Sequence, residues 1–440
     1  MRSDIGQRII DFAGPWHIER VEDEHIPGLA MMISSADGDV WTSCVGYADM
    51  EQGVLLTPDH RFPAASQTKT FTALATLQLA RDNILQLSDP VSQYVPEIMG
   101  HEQIDSKKIT IDNLLTHTSG LLRDGHDCDY WAQIRPFPTT DEMLASIRSE
   151  GILPEQAGRM KYSNIGYALL GLCLERATQK SYEAIIDERI VQPLGLVSTS
   201  FQPTYESHAT GYGRQDSLGK RRRIPALFDN AAYTPATGIY STVRDLSTFY
   251  TALSSINGPL DPIVREAINR PRVTVDYDKE LKYGYGVDIG RLNGRAIIGH
   301  GGGYPGFTSK TITEQLHGLT VSVMTNCIDG NALHAAIGMM DVIDFFARNG
   351  VGETVKQFNT YVSDIWRDRQ VVATNKTIVS IDSHSWFPFR STEELLYVDD
   401  ATLRISKTNG FESEGELVHF YTDRIRYAGR TMMKSSQLIR

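Results

Sequence analysis

Ser66-Gln67-Thr68-Lys69 sets a hydroxyl and an amine three residues apart. On a helix that spacing shares a face, so the two groups can meet. A serine that opens a helix is ordinarily a cap, and a cap favours an acidic or amide residue three positions on. Here the position holds a lysine, in the first turn, where the positive end of the helix dipole disfavours a cation. Dipole and burial together would lower its pKa, so that a neutral amine can accept the serine proton. Tyr162-Ser163-Asn164 is the second element. In an extended segment, residues two apart point to one side, which lets Tyr162 and Asn164 face one cleft. A phenol beside a cationic lysine can shuttle a proton to a leaving group, and an amide can hold both Lys69 and a substrate carbonyl. Taken alone, the segment is equally well a core tyrosine followed by a capping asparagine. The third element is His300-Gly301-Gly302-Gly303-Tyr304-Pro305-Gly306-Phe307. Its glycines let substrate lie close to a strand, and one N–H there could join that of Ser66 as an oxyanion hole. The same residues spell G-x-G-x-x-G, but a dinucleotide site needs a following helix, and Leu319–Met324 reads as a strand.

These groups must be positioned by elements that the apolar pattern outlines. Gly28–Ile33, a turn at Asp37-Gly38 and Val40–Thr42 read as a hairpin. A helix is expected from Ser66 to about Arg81, others at Ile111–Leu115, Ile165–Thr178, between Gly238 and Asn257, and at Ala332–Ala347. Strands are expected at Tyr285–Ile289, Arg295–Ile298 and Leu319–Met324. The fold class is therefore α/β in the α+β sense: an antiparallel sheet flanked by helices, plus an all-helical lobe over roughly 75–230. The expected division is a catalytic domain over 1–348, then a helical linker (Thr354 to Arg369) and a small antiparallel β domain over 349–440. Trp386-Phe387-Pro388-Phe389 is an apolar run that serves either as an anchor or as a contact gating the cleft.

Composition narrows the function classes. The chain has 440 residues, is 41% hydrophobic and carries a formal charge of -11, which favours neither nucleic acid nor an anionic membrane. Its one basic run, Lys220-Arg221-Arg222-Arg223, lacks interleaved aromatics and reads as a solvated loop. No apolar stretch follows the first residues and none reaches a membrane span, so no secretory signal, a cytoplasmic location and no membrane partner are expected. Cys44, Cys128, Cys173 and Cys327 are scattered and read as reduced thiols; His126 near Cys128 falls short of a metal site. Neither a metal nor any other cofactor is expected. Assembly into a homo-oligomer stays open.

In this order and at these separations, the three motifs resemble those of the serine β-lactamase and penicillin-binding-protein superfamily. More narrowly they look like its class C-like branch, which holds D-aminopeptidases and family VIII carboxylesterases. Asp112–Leu121, Pro235–Thr242 and Gly299–Phe307 add to the resemblance, which covers about residues 10 to 345. It implies Ser66 as nucleophile, Lys69 and Tyr162 as the acid/base pair and Asn164 as positioner. It also implies an oxyanion hole from the N–H groups of Ser66 and Gly303, with His300 and Gly302 lining the substrate. His117 reads as structural. Relatives that bind β-lactams well carry a lysine where this chain has His300, and a neutral imidazole lacks that fixed charge. The expected activity is hydrolysis of esters or amides, including D-amino acid derivatives or short peptides, with weak β-lactam turnover at most. The alternatives are an acyltransferase that uses the same serine with a small-molecule acceptor, and a non-catalytic scaffold.

Overall fold

The computed structural model describes residues 3–99, 109–150, 152–201, 207–224, 229–254, 258–275, 278–350, 359–362, 369–408 and 414–434. The chain divides into two compact units, one of residues 26–333 and one of 1–25 with 334–440.

The first unit is built on a nine-stranded antiparallel sheet. Its chain-order strands are β1 (Gly28–Ser35), β2 (Gly38–Asp49), β3 (Val54–Leu55), β8 (Val273–Val275), β9 (Asp278–Tyr283), β10 (Asp288–Leu292), β11 (Arg295–Tyr304), β12 (Phe307–Glu314) and β13 (Thr320–Thr325). They lie in the order β3-β2-β1-β13-β12-β11-β10-β9-β8. Two short pairs complete the unit: β4 (Phe62–Pro63) with β7 (Tyr240–Ser241), and β5 (Gly211–Tyr212) with β6 (Arg223–Ile224). β1 and β13 are buried almost throughout, as central strands of continuous apolar or small residues should be. Helix α10 (Val243–Ser254) lies on the sheet, with Ser247 hydrogen-bonded to Ser34 of β1 at 2.6 Å.

The chain between β4 and β7 is the helical part. It contains α2 (Thr68–Arg81), α3 (Val91–Tyr94), α4 (Ile111–Leu115), α5 (Thr140–Glu150), α6 (Asn164–Thr178), α7 (Tyr182–Ile186), α8 (Gln192–Leu194) and α9 (Thr234–Thr237). One core joins it to the sheet, through Phe71, Leu74, Leu169, Leu170 and Leu174 on the helices and Ile298 and Met324 on the strands. Phe71 of α2 stacks on Phe249 of α10 with ring centroids 3.6 Å apart. The last helix of this unit is α11 (Pro262–Asn269), capped by Asp261.

In the second unit, α1 (Ser3–Asp23) and α12 (Ala332–Asn349) accompany a closed eight-stranded barrel. The barrel strands are β14 (Asn359–Val362), β15 (Arg369–Ala373), β16 (Ile378–Ile381), β17 (Glu393–Asp399), β18 (Thr402–Lys407), β19 (Leu417–Phe420), β20 (Arg424–Tyr427) and β21 (Arg430–Lys434). Leu395, Leu403, Ile405, Val418 and Ile425 fill it from alternating positions. The Trp386–Phe389 run is spent within this unit. Trp386 meets Trp16 edge-on at 5.7 Å, and Phe389 stacks on Phe345 at 3.8 Å.

The expected α+β class, with its antiparallel sheet and β module, is the observed one. Three local expectations are corrected. Tyr285–Val287 is a turn and the strand begins at Asp288, because Gly286 takes φ +69° where a Cβ would fall 2.6 Å from the Lys69 carbonyl. Residues 359–362 of the expected linker helix form β14, since barrel closure needs a strand between β15 and β21. Of the rest of that linker, Arg369 opens β15, and 354–358 and 363–368 lie outside the described residues. The helix expected from Ser66 begins at Thr68, after a 3-10 turn over Ala65–Gln67.

Candidate active site

Ser66 sits in that 3-10 turn and caps nothing; the N-cap of α2 is Gln67, which makes no side-chain cap bond. Ala65, just before it, is held at φ +53°, a conformation that costs an L-residue energy and persists only where its surroundings enforce it. Those surroundings can be named. Ala64 donates its N–H to the Ile239 carbonyl at 2.8 Å, and the Ser309 hydroxyl donates to the Ala64 carbonyl at 3.1 Å. From the other side β11 presses in: a Cβ on Gly302 would lie 2.3 Å from the Ala64 carbonyl oxygen and 3.0 Å from the Ala65 Cβ. Gly302 therefore serves close approach between strand and turn.

Lys69, in the first turn of α2, is 0% exposed. Its Nζ lies 3.3 Å from Ser66 Oγ, 2.7 Å from Asn164 Oδ1 and 2.8 Å from the Ala236 carbonyl of α9. A carbonyl only accepts. The Asn164 oxygen also only accepts, and its direction is set because Nδ2 of the same amide donates to Asp124 Oδ1 at 2.7 Å. These two acceptors use both N–H bonds of a neutral amine and turn the nitrogen lone pair toward Ser66. Burial pushes Lys69 well below the ordinary lysine range; Asp124 opposes that shift and Arg123 adds to it.

Tyr162 is half-buried beneath the same nitrogen, with its ring centroid 4.9 Å from Lys69 Nζ, and its phenol hydrogen-bonds Ser66. Burial raises its pKa, so this phenol keeps its proton and can donate it to a developing negative charge. The cap of α6 is Ser163, whose Oγ accepts from Gly166 N–H at 2.9 Å, and not Asn164, which is left free for Lys69. His117 packs against the Tyr162 ring at 4.3 Å and takes the Ser163 N–H on Nδ1 at 3.1 Å. It braces the segment from behind.

β11 supplies the remaining wall. It pairs with β10 only over Arg295–Gly299 but with β12 as far as Tyr304, so among the described residues His300–Tyr304 have a strand on one side only. The two-residue turn Pro305-Gly306 makes Tyr304 and Phe307 a hydrogen-bonded pair. Antiparallel alternation then directs the Gly303 N–H and C=O to the open edge. A Cβ on Gly303 would meet nothing within 4 Å.

Residues 17–338 match the family described as Beta-lactamase. The chain belongs to the beta-lactamase family. That family is one of serine β-lactamase and penicillin-binding-protein-like hydrolases. It is 33% identical over 196 residues to protein flp of Staphylococcus aureus strain MW2, a match that covers 44% of this chain and 39% of that protein. The match thus spans about two fifths of the length of the curated relatives of that kind. A teichoic acid D-alanine hydrolase of Staphylococcus aureus is 28% identical over 291 residues, which is 65% of this chain and 66% of the relative. The octameric penicillin-binding protein homologue from Pyrococcus abyssi has the same fold at a TM-score of 0.68 and 20% identity, over 97% of this chain and 100% of that one.

In this beta-lactamase-family chain the third motif carries a histidine without charge. His300 is 4% exposed, and its Nδ1 lies 2.6 Å from the Gly301 carbonyl, an atom that only accepts. Nδ1 therefore bears the proton, and Nε2 accepts from the Tyr283 hydroxyl at 3.1 Å. Burial pushes its pKa down to about 4, against the pull of Asp288. Both ring nitrogens are engaged inside the protein. Asp124 and Ala236 are the two groups the motifs did not reveal. Asp124 lies in a polar run, Arg123-Asp124-Gly125-His126-Asp127, that reads as any solvated loop, and Ala236 acts through its backbone, which no residue type advertises. Among the described residues no group of three or more metal-ligating side chains gathers.

Proposed function

We propose that this chain hydrolyses esters or amides through an acyl-enzyme on Ser66. The observation that carries the reading is the placement of Lys69 Nζ, saturated by two acceptors and 3.3 Å from Ser66 Oγ. The neutral amine takes the Ser66 proton as Oγ attacks the carbonyl carbon. The tetrahedral oxyanion is held by the N–H groups of Ser66 and Gly303. Tyr162, hydrogen-bonded to Ser66, passes a proton to the leaving oxygen or nitrogen, and water then attacks the acyl-enzyme in the reverse sequence. Asn164 orients Lys69, while His300 and Gly302 shape the wall without a charge of their own.

The substrate class follows from that wall. A neutral His300 gives no fixed cation at the third motif, which supports small esters, amides and D-amino acid derivatives over β-lactams. The likeness to a teichoic acid D-alanine hydrolase supports D-alanyl esters as first candidates. The test is turnover of p-nitrophenyl acetate and of D-alanine p-nitroanilide by the wild type and by Ser66→Ala. The variant is expected to lose at least about a thousandfold in kcat/KM; a variant at full rate would overturn the assignment. An added alcohol or amine acceptor in the same assay measures any acyl transfer.

A further inference from the structure

The rim of the cleft holds a cation that the reaction above does not use. Arg123 is 67% exposed on its side chain, and its guanidinium lies 5.4 Å from the centroid of the Tyr162 ring. Its place is fixed at both ends. The Arg123 carbonyl receives the N–H groups of Asn164 at 2.8 Å and Ile165 at 3.2 Å, and its Nε donates to Asp124 Oδ2 at 3.1 Å. Its two terminal NH2 groups make no hydrogen bond among the described residues. An arginine stacked on an aromatic face, steadied through Nε, with its fork open to solvent, is the geometry that binds planar oxyanions in two parallel bonds.

Lys161 stands in the same field, and its side-chain amine likewise makes no hydrogen bond or ion pair among the described residues. Burial and then the Arg123 charge hold Lys161 below the ordinary lysine range, and one carboxylate opposes them. That carboxylate is Asp124, and it is already used, with one oxygen on Asn164 and the other on Arg123. A positive excess here stands out in a chain of net charge -11. The other cation near the third motif, Lys310, is taken by Asp288 at 2.9 Å.

We propose that Arg123 forms a subsite that binds a carboxylate or phosphate group of the substrate on the Tyr162 side of the cleft. The proposal rests on the hydrolase reading, because it places this anion a few atoms from the bond to be cleaved. Anionic substrates gain through KM, and the gain fades with ionic strength because the rim is exposed.

The experiment compares isosteric ester pairs on the wild type, Arg123→Gln and Arg123→Lys. 4-Acetoxybenzoate is set against 4-acetoxybenzamide for a charge on the leaving group. Phenyl hydrogen succinate is set against phenyl succinamate for a charge on the acyl group, and 4-acetoxyphenyl phosphate gives the phosphate arm. Arg123→Gln is expected to lower the anionic-to-neutral ratio of kcat/KM by about tenfold in at least one pair, chiefly through KM, with partial recovery in Arg123→Lys. A ratio within twofold of wild type in every pair would overturn the subsite. A second readout needs no turnover: calorimetric binding of 4-hydroxybenzoate or phenyl phosphate to Ser66→Ala, with and without Arg123→Gln. About tenfold weaker binding in the double variant supports the subsite, and equal binding overturns it. If Ser66→Ala kept full esterase activity, the hydrolase reading would fall while the calorimetry still decided on Arg123.

Discussion

Lys69 is the side chain on which the proposed mechanism turns, through what surrounds it. Its neighbours are two obligate acceptors, one carboxylate at one remove, the guanidinium of Arg123, two buried histidines and two tyrosine rings. Asp124 raises the lysine pKa and Arg123 lowers it. The proposed mechanism needs the neutral amine, so activity is expected to appear as pH rises through that pKa. Asp124→Asn removes the raising charge, and the acid limb of the kcat/KM profile is expected to move to lower pH. The same change loosens the Asn164 amide, with about a tenfold loss at neutral pH. A residue of purely structural importance would lower the profile without moving its limb. Lys69→Met should cost about a hundred- to ten-thousand-fold in kcat with the fold retained, read by p-nitrophenyl acetate turnover beside a thermal melt. Ser66 and Lys69 were legible because helical spacing and an unfavourable charge at a helix start are both written in the sequence. Asp124 was not, because its partner Asn164 lies 40 residues on and nothing local marks the pair.

At the scale of elements, β11 decides the site twice, once by closeness and once by openness. Gly302→Ala would drive a Cβ into the Ala64 carbonyl and the Ser309 hydroxyl, 2.3 and 2.4 Å away. It is expected to lower Tm and to abolish activity together, because the turn that carries Ser66 must shift. Gly303→Ala meets nothing within 4 Å and should melt like the wild type while discriminating against larger acyl groups. Similar losses of Tm in both variants would contradict this division. Acid is a second lever. His17, His117 and His300 are buried, and burial depresses each below the ordinary value of 6.5. The unfolded chain then binds more protons, so stability is fully present above about pH 6.5 and drains as pH falls toward about 4, the value at His300. Thermal melts across that window should fall, and His300→Gln should make the fall shallower. The strand before the glycine motif was legible from its apolar run, but its continuation through His300–Tyr304 was not. Three glycines carry no alternation of polar and apolar faces, so only the register with β12 reveals the edge.

The whole molecule joins a family whose catalytic fold was legible from three ordered motifs to a barrel that was legible only as strand-like alternation. Barrel closure depends on pairing β14 with β21, residues some seventy positions apart, and no local pattern encodes that. Nor did the sequence indicate that α1 and α12 share a compact unit with it. Trp386 links them: its ring meets Trp16, and its Nε1 donates to Glu24 Oε1 at 2.5 Å. Trp386→Ala is expected to cost about 3–5 kcal/mol in that unit, measured by denaturant unfolding, and a change below about 1 kcal/mol would contradict the anchoring role. The account as a whole stands on covalent chemistry at one hydroxyl. Its most direct test is intact-mass and peptide-mapping analysis after reaction with a fluorophosphonate probe that mimics the tetrahedral state. One adduct per chain is expected, on the peptide that contains Ser66, absent in Ser66→Ala and formed far more slowly in Lys69→Met. An adduct that maps to another residue, or labelling of Lys69→Met at the wild-type rate, would contradict the account.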